Sequence, residues 1–235
     1  YAEDNIHLLH LHKVFTLPGI FWVNHRTRGN LHVNIQVRGN LMFILGYNKI
    51  LECLHHPPIQ LPALSMQSLY GTAFAFHIES IVAGAGFDAV VACRVFFPTA
   101  LISVTLGLAA GWISDHVQLN RLLALHLAGM AISMTGLLIQ AHQLTFALIV
   151  LGNGLASAMF GVLMGVTWPR FFGSRHLGEI SGFNMTFNVL FSAIGPAFFA
   201  LSIRFTEGYR AAILCCLVAV AVLAMQLPKA VRPSE

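Results

Sequence analysis

From residue 59 onward the chain alternates between long apolar runs and short polar stretches. The runs hold 17 to 25 residues each, and a helix needs about 20 apolar residues to cross a hydrocarbon core about 30 Å thick. The pattern therefore predicts six membrane-spanning helices. They cover residues 59–83, 89–113, 122–140, 144–168, 180–203 and 211–227.

The connections between the runs predict how the helices follow one another. They are short and contain glycine or polar residues, as in 84–88 and 114–121, and connections of this length join antiparallel neighbours. The runs are longer than the roughly 10 residues of a transmembrane strand, and they lack its alternation of polar and apolar positions. The predicted fold class is all-α, a polytopic membrane protein with six transmembrane helices.

The composition agrees with this class and excludes several others. Of 235 residues, 57% are apolar and 9% are charged, whereas about 25% of an ordinary soluble domain is charged. Such a chain is not a water-soluble globule, and it lacks the dense basic patch of a nucleic-acid-binding protein. The cysteines at 53, 93, 215 and 216 have neither disulfide nor metal-ligand spacing, so we interpret them as free thiols.

Basic residues predict the orientation of the helices. If the chain enters the first run from the cytoplasm, the cytoplasmic side carries five basic residues and the other side two, Arg204 and Arg210. The five are Arg121, Arg170, Arg175, Lys229 and Arg232. Because basic loops stay in the cytoplasm, we expect both ends of the six-helix block there.

Residues 1–58 differ from the rest of the chain, because they hold 8 of the 22 charges and only short apolar runs. We expect a cytoplasmic linker or the remnant of an earlier helix there. A transmembrane domain at 59–227 and a cytoplasmic tail at 228–235 follow. The chain opens at Tyr1 with neither an initiator methionine nor a signal sequence, which favours a fragment of a longer protein.

Polar residues inside the apolar runs are candidates for function, because they are costly in a membrane. In the first run Gln67, Tyr70, Phe74 and His77 follow one another at steps of three or four, so they share one helix face. Such a face can line a wet cavity and bind a polar substrate. It can equally pack against neighbouring helices through satisfied hydrogen bonds.

Two later runs carry polar or small residues on one face. Asn184 and Asn188 lie one turn apart in the fifth run, and we expect them to point inward, toward either substrate or a neighbouring helix. In the fourth run one face carries four small residues, and the last two have the spacing typical of close helix packing. We predict that a neighbouring helix packs closely against this face, which consists of Gly154, Ala158, Gly161 and Gly165.

Two charged residues lie near the connection between the first and second runs. Glu79 precedes Gly84 by five residues and Arg94 follows Asp88 by six, so antiparallel helices place them at similar heights. They can form an ion-pair gate, or Arg94 can bind an anionic substrate through two hydrogen bonds. Alternatively, both side chains reach the outer membrane interface and anchor their helices.

The segment 111–121 follows the second run and places Gly111 four residues before Asp115. It resembles the cytoplasmic signature loop that follows the second helix of each half in the major facilitator superfamily. Segments 172–182 and 67–77 are similar to the loop entering the fifth helix and to the first helix of the C-terminal half. The second of these looks like the branch of oxalate/formate and monocarboxylate porters. The chain thus resembles one six-helix half of such a transporter.

The resemblance implies a secondary transporter or antiporter of a bacterial cytoplasmic (inner) membrane. Such a protein moves a small polar solute, such as a monocarboxylate, by alternating access. It places Gly111, Asp115, Arg121 and Arg175 in a cytoplasmic gating network, with a plain helix cap as the alternative for Asp115. It also implies that the third and sixth helices face lipid. The expected partners are the lipid bilayer, the substrate, and a missing N-terminal half or a second copy, without nucleic acid.

Two other functions compete with transport. An intramembrane enzyme would need a nucleophile with a base, or metal ligands, and neither a His-Glu-x-x-His nor a Gly-x-Ser-x-Gly motif is present. His7, His10 and His12 have no carboxylate or cysteine partner at ligand spacing, so we predict no metal site and no cofactor. The second alternative is an inactive, truncated half-transporter, because six helices alone do not form the interface between two halves.

Overall fold

The computed structural model describes residues 59–84, 89–139, 142–173 and 177–227. Within these ranges the chain forms six helices and no strand, which confirms the all-helical prediction. They are α1 (Gln60–Gly84), α2 (Ala89–Ser114), α3 (Leu119–Ile139), α4 (His142–Phe172), α5 (Leu177–Thr206) and α6 (Arg210–Gln226). The predicted segments 1–58 and 228–235 lie outside the described residues.

Four of the six helices are long and apolar enough to cross a membrane. These spans are Arg94–Ser114, Leu119–Ile139, Gln143–Phe172 and Leu177–Thr206, as expected of a membrane-embedded protein. Helix α6 is apolar but has only 17 residues. Helix α1 has 25 residues but is the most polar of the set, with glutamine, histidine and glutamate side chains. The predicted spans in α1 and α6 therefore stay predictions.

Helix α1 lies at the centre of the bundle, where it contacts each of the other five helices. The most extensive pairings are α3 with α4, α2 with α4, and α1 with α5. The expectation that α3 faces lipid does not hold in the described bundle. Of the 18-residue apolar segment that makes each helix a candidate span, 56% is buried in α3 and 6% in α2. Helix α3 packs against both α4 and α6, and α2 has the smallest buried share of the four spans.

Glycines set the close contact between α3 and α4. A Cβ atom on Gly129 would lie 2.7 Å from the backbone nitrogen of Ala156, and one on Gly152 would lie 2.7 Å from the carbonyl oxygen of Gly129. A Cβ atom on Gly161 or Gly165 would meet nothing within 4 Å. A Cβ atom on Gly154 would lie 2.7 Å from Cγ2 of Ile102 on α2, so the close packing predicted for this face of α4 is confirmed at Gly154. It is wrong at Gly161 and Gly165, because no other helix of the described bundle approaches α4 closely there.

A proline in α5 shapes its contact with α1. Pro196 has no N–H, so the carbonyl of Ser192, four residues earlier, loses its helical donor. The hydroxyl of Thr72 on α1 lies 2.9 Å from that carbonyl oxygen and can donate to it. A Cβ atom on the neighbouring Gly195 would contact the backbone carbonyl of Leu69, so the two helices cross closely at this level.

Candidate polar site inside the bundle

The polar face of α1 points into the bundle. The Tyr70 hydroxyl is fully buried and lies 2.7 Å from the Ser133 hydroxyl of α3. Phe74 is buried beside it, with the two ring centroids 5.9 Å apart. His77 Nε2 lies 3.0 Å from the carbonyl oxygen of Pro196, and its Nδ1 lies 3.2 Å from the Tyr209 hydroxyl. Tyr70 and His77 therefore both bond to neighbouring helices.

A second group of polar residues joins α1, α4 and α5. The Ser68 hydroxyl donates to Asn188 Oδ1 over 2.7 Å. Asn188 Nδ2 donates to the carbonyl oxygen of Asn184 over 2.9 Å, and Asn184 Nδ2 lies 3.1 Å from the sulfur of Met164. Asn184 is fully buried and Asn188 is 5% exposed. We call Ser68, Met164, Asn184 and Asn188 the amide cluster.

Several buried polar atoms of α1 and α4 have no hydrogen-bond partner. Within the described residues, Gln67 Oε1 and both amide atoms of Gln60 have no hydrogen-bond partner. The hydroxyls of Ser65 and Thr167 and the indole nitrogen of Trp168 also have none. Others, on Thr145 and Asn153, lie in the first half of α4. Each buried polar group without a partner costs about 1–3 kcal/mol.

The predicted substrate residues do not form a single group. Gln67 and His77 are ten residues apart on α1, which separates them by about 15 Å along the helix axis. Gln67 is buried and its Oε1 has no hydrogen-bond partner, whereas His77 contacts Tyr209 just before α6. The residues predicted to share one face of α1 therefore lie in two separate polar environments, at different depths of the bundle.

The charged side chains of the described residues lie at the surface. Glu79 and Arg94 are both exposed, and no ion pair joins them in this part of the structure. No described Asp, Glu, Lys or Arg is buried. The interior that surrounds the amide cluster is therefore polar but uncharged in the described ranges.

The turn between α2 and α3 is held by an arginine of α4. Arg170 Nη2 donates to the carbonyl oxygen of Ser114 over 2.6 Å, and Nη1 lies 3.3 Å from that of Val117. Arg170 also lies 3.7 Å from Asp115, whose side chain is 83% exposed. Because two backbone carbonyls and a carboxylate converge on one guanidinium, Arg170 ties the turn to the end of α4.

The remaining predicted gating residues are placed as follows. Arg121 is exposed on α3, and Gly111 is exposed on α2 with no heavy atom within 4 Å of a Cβ atom built on it. Arg175 lies outside the described residues. Asp115 contacts Arg170. The sequence predicted only that Arg170 is on the cytoplasmic side, and it did not predict a role for this residue in the gate.

Other interior residues that form hydrogen bonds between helices were not predicted from the sequence. His126 is fully buried in α3, with Nδ1 3.0 Å from the carbonyl oxygen of Ala156 on α4. Ser68 and Met164 reach the amide cluster from separate helices, and ordinary apolar packing would explain either residue in a single sequence. A histidine or serine inside an otherwise apolar run is the only available hint of such contacts.

Metal and thiol chemistry add little to the site. The described residues contain no group of three His, Cys, Asp or Glu side chains that could hold a metal ion. His7, His10 and His12 lie outside the described residues. Cys215 is exposed and Cys216 is buried, and both are free thiols, in agreement with the interpretation of these two as unpaired.

No family model, curated protein or solved structure matches the chain. Its function is therefore inferred from the chemistry of the site: an uncharged group of hydrogen-bonding side chains within a bundle of apolar helices. The amide cluster can bind polar groups through amide and hydroxyl atoms.

Proposed function

We propose that the chain is one half of a membrane transporter that moves a small polar solute by alternating access. The observation that carries the proposal is the amide cluster, which places two buried asparagines and a serine between α1 and α5. Polar side chains inside a membrane protein face the bundle interior or a wet cavity, and they often mark a solute pathway.

The exposed surface of α2 supports a half-transporter, as opposed to a complete one. Phe97 is 78% exposed, Leu108 is 74% exposed and Trp112 is 81% exposed, so one face of this helix is uncovered in the described bundle while another face packs against α4. Transporters of this kind bind substrate between two repeats. A missing N-terminal half or a second copy against this face would complete the pathway, in a bacterial cytoplasmic membrane.

The contacts of Arg170 support a gating role for the turn between α2 and α3. A short turn held by one guanidinium can release when the helix ends separate, because its contacts are few and lie at the surface. In this proposal Asp115 and Arg170 hold one of the alternating states. Arg121 and Arg175 belong to the same network.

The substrate prediction rests on the resemblance and on Arg94. An exposed guanidinium can attract a carboxylate before it enters the bundle, so an organic anion such as a monocarboxylate is the first candidate. Replacing Arg94 with alanine, and separately with lysine, tests this role. If both variants take up a monocarboxylate as fast as the original chain, Arg94 has no role in substrate transport.

The proposed function is tested by solute counterflow into proteoliposomes that contain the full chain, alone and with the product of any upstream gene segment. We expect Asn188→Leu to abolish counterflow, because it removes the hydrogen bonds that the side chain makes to Ser68, Asn184 and Met164. Thr186→Val is the matched control, since Thr186 is exposed on the same helix and bonds only within it. If a folded chain and its completed form both fail to move any solute, it is an inactive fragment.

A further inference from the structure

An open apolar groove runs between α3 and α6 on the outside of the bundle. Its volume is about 260 Å³, and the described residues that line it are all alanine, leucine or valine. Three of its alanines are exposed, Ala128 on α3 and Ala221 and Ala224 on α6, so the groove opens to the surroundings of the bundle. An occupant of the groove is therefore apolar along its length.

The groove has the length of one membrane leaflet. On α6 the lining residues extend from Leu217 to Leu227, which lie about 15 Å apart along the helix axis. A hydrocarbon core is about 30 Å thick, so each leaflet contributes about half of that. The other wall belongs to α3, one of the four candidate spans. A single acyl chain fits this length better than a membrane-spanning helix of a partner, which would continue through both leaflets.

A basic residue lies at one end of the groove. Arg121, Ala124, Ala128 and Ala131 follow one another at steps of three or four, so Arg121 continues the face of α3 that lines the groove. Three short connections separate α3 from α6, and each reverses the direction of the chain. The two helices are therefore antiparallel, and Leu227 of α6 lies at the same end of the groove as Arg121.

The guanidinium of Arg121 is available to an anion. Arg121 is exposed, and it forms no ion pair with the residues that the structure describes. Asp115, the acidic residue that precedes it in the described chain, lies 3.7 Å from Arg170 instead. The sequence after α6 is also basic, with Lys229 and Arg232. Because basic residues near a membrane surface attract anionic head groups, the charge at this end of the groove complements a phosphate.

We propose that the groove binds one acyl chain of an anionic phospholipid and that Arg121 binds the phosphate of the same lipid. The acyl chain lies between the alanines of α3 and α6, and the head group stays at the membrane surface. A guanidinium can donate two parallel hydrogen bonds to a phosphate, so the lipid supplies the anion that Arg121 lacks in the described structure. This site is separate from the amide cluster, and it does not depend on the proposed transport function.

The head-group contact is tested by native mass spectrometry of the full chain in detergent. The chain is incubated with equal amounts of dioleoylphosphatidylglycerol and dioleoylphosphatidylcholine, which share their acyl chains and differ in head-group charge. We expect the parent chain to retain phosphatidylglycerol preferentially. Arg121→Gln should lower this preference about fivefold, the factor for one basic residue near a membrane surface. Arg204→Gln is the matched control and should keep the preference, since Arg204 is exposed in the last turn of α5, at the opposite end of the bundle.

The groove itself is tested by filling it. Ala128→Phe places a ring in the groove from α3, and Ala221→Phe does so from α6, so the test does not depend on the folding of one variant. We expect each to lose the retained lipid while keeping the helical content of the parent. Ala109→Phe is the control and should retain lipid like the parent, since Ala109 is exposed on α2 and does not line the groove.

Three results would overturn the proposal. If both phenylalanine variants retain lipid like the parent, no acyl chain lies in the groove. If Arg121→Gln keeps the full preference for phosphatidylglycerol, the phosphate is not at Arg121. If the parent retains no lipid and forms a dimer that the phenylalanine variants dissociate, the occupant is a second copy of the chain. Lipid retention does not require transport, so either proposal can fail while the other stands.

Discussion

Replacing Gly152 with alanine should destabilise the bundle, whereas the same change at Gly161 should stabilise it. Both glycines lie inside α4, so each alanine gains about 0.5–1 kcal/mol from the lower cost of ordering the backbone. The surroundings differ. A Cβ atom on Gly152 would lie 2.9 Å from the Cα atom of Ser133 and would also crowd the carbonyl of Gly129, whereas one on Gly161 meets nothing within 4 Å.

The size of the difference follows from which atoms stand in the way. At Gly152 the crowded atoms belong to the backbone of α3, and a backbone cannot rotate away as a side chain can. Overpacking typically costs 1–3 kcal/mol, which exceeds the gain in helix propensity. We therefore expect Gly152→Ala to lose about 1–2 kcal/mol of unfolding free energy and Gly161→Ala to gain about 0.5 kcal/mol.

The full chain is unfolded in mixed detergent micelles with increasing sodium dodecyl sulfate. Unfolding is monitored by tryptophan fluorescence, which changes when the packing around buried Trp168 is lost. The parent chain and both variants are measured under the same conditions, and helical content is compared in the absence of the denaturing detergent. A Gly152→Ala variant as stable as the parent would show that α3 and α4 do not cross at Gly152. If Gly161→Ala destabilised the chain, another helix would have to pack closely against Gly161, as the sequence predicts.

Three further results are expected from the same unfolding assay. Tyr70→Phe and Ser133→Ala should couple by about 0.5–1 kcal/mol in a double-mutant cycle, and additive losses would mean that their hydroxyls do not bond. Arg170→Ala should destabilise more than Asp115→Asn, because only the first also loses bonds to two backbone carbonyls; equal effects would leave the ion pair as the sole contact. Thr72→Val should cost about 0.5–1.5 kcal/mol by removing a donor from the carbonyl freed in α5, and no loss would argue against that bond.

The helices were predictable because their signal is local. The predicted run at 89–113 and the observed helix Ala89–Ser114 differ by one residue, since a long apolar run and the polar stretches that bound it lie within one segment of chain. Helix α1 was predicted as clearly as the rest, although its polar side chains leave it below the hydropathy of the four spans. Length and period identify a helix without deciding what surrounds it.

The site was predictable only in part. The inward direction expected for Asn184 and Asn188 agrees with their burial, because two asparagines one turn apart in an apolar helix must avoid lipid. Their partners, Ser68 and Met164, were not predicted, since they come from helices that are 20 or more residues away in sequence. Nothing in the pattern of one run tells which residue of another run it meets.

The glycines show that the sequence of one helix also does not predict where another helix packs against it. Gly161 and Gly165 have the expected spacing, yet the close approach of α3 occurs at Gly152, which has no glycine four residues away in α4. Spacing describes one helix, whereas a close contact also needs small residues at the matching height of the other. Gly129 and Ser133 on α3 provide this match.

By itself, the sequence determined that the described chain is helical and that its long apolar runs belong to a membrane-embedded protein, because apolar length and helix period are properties of contiguous residues. The tertiary structure decided which buried polar groups bond to one another, which remain without partners, and where two helices touch. Those outcomes depend on the relative height and rotation of separate helices, and the small energies that set them come from contacts between residues far apart in the chain.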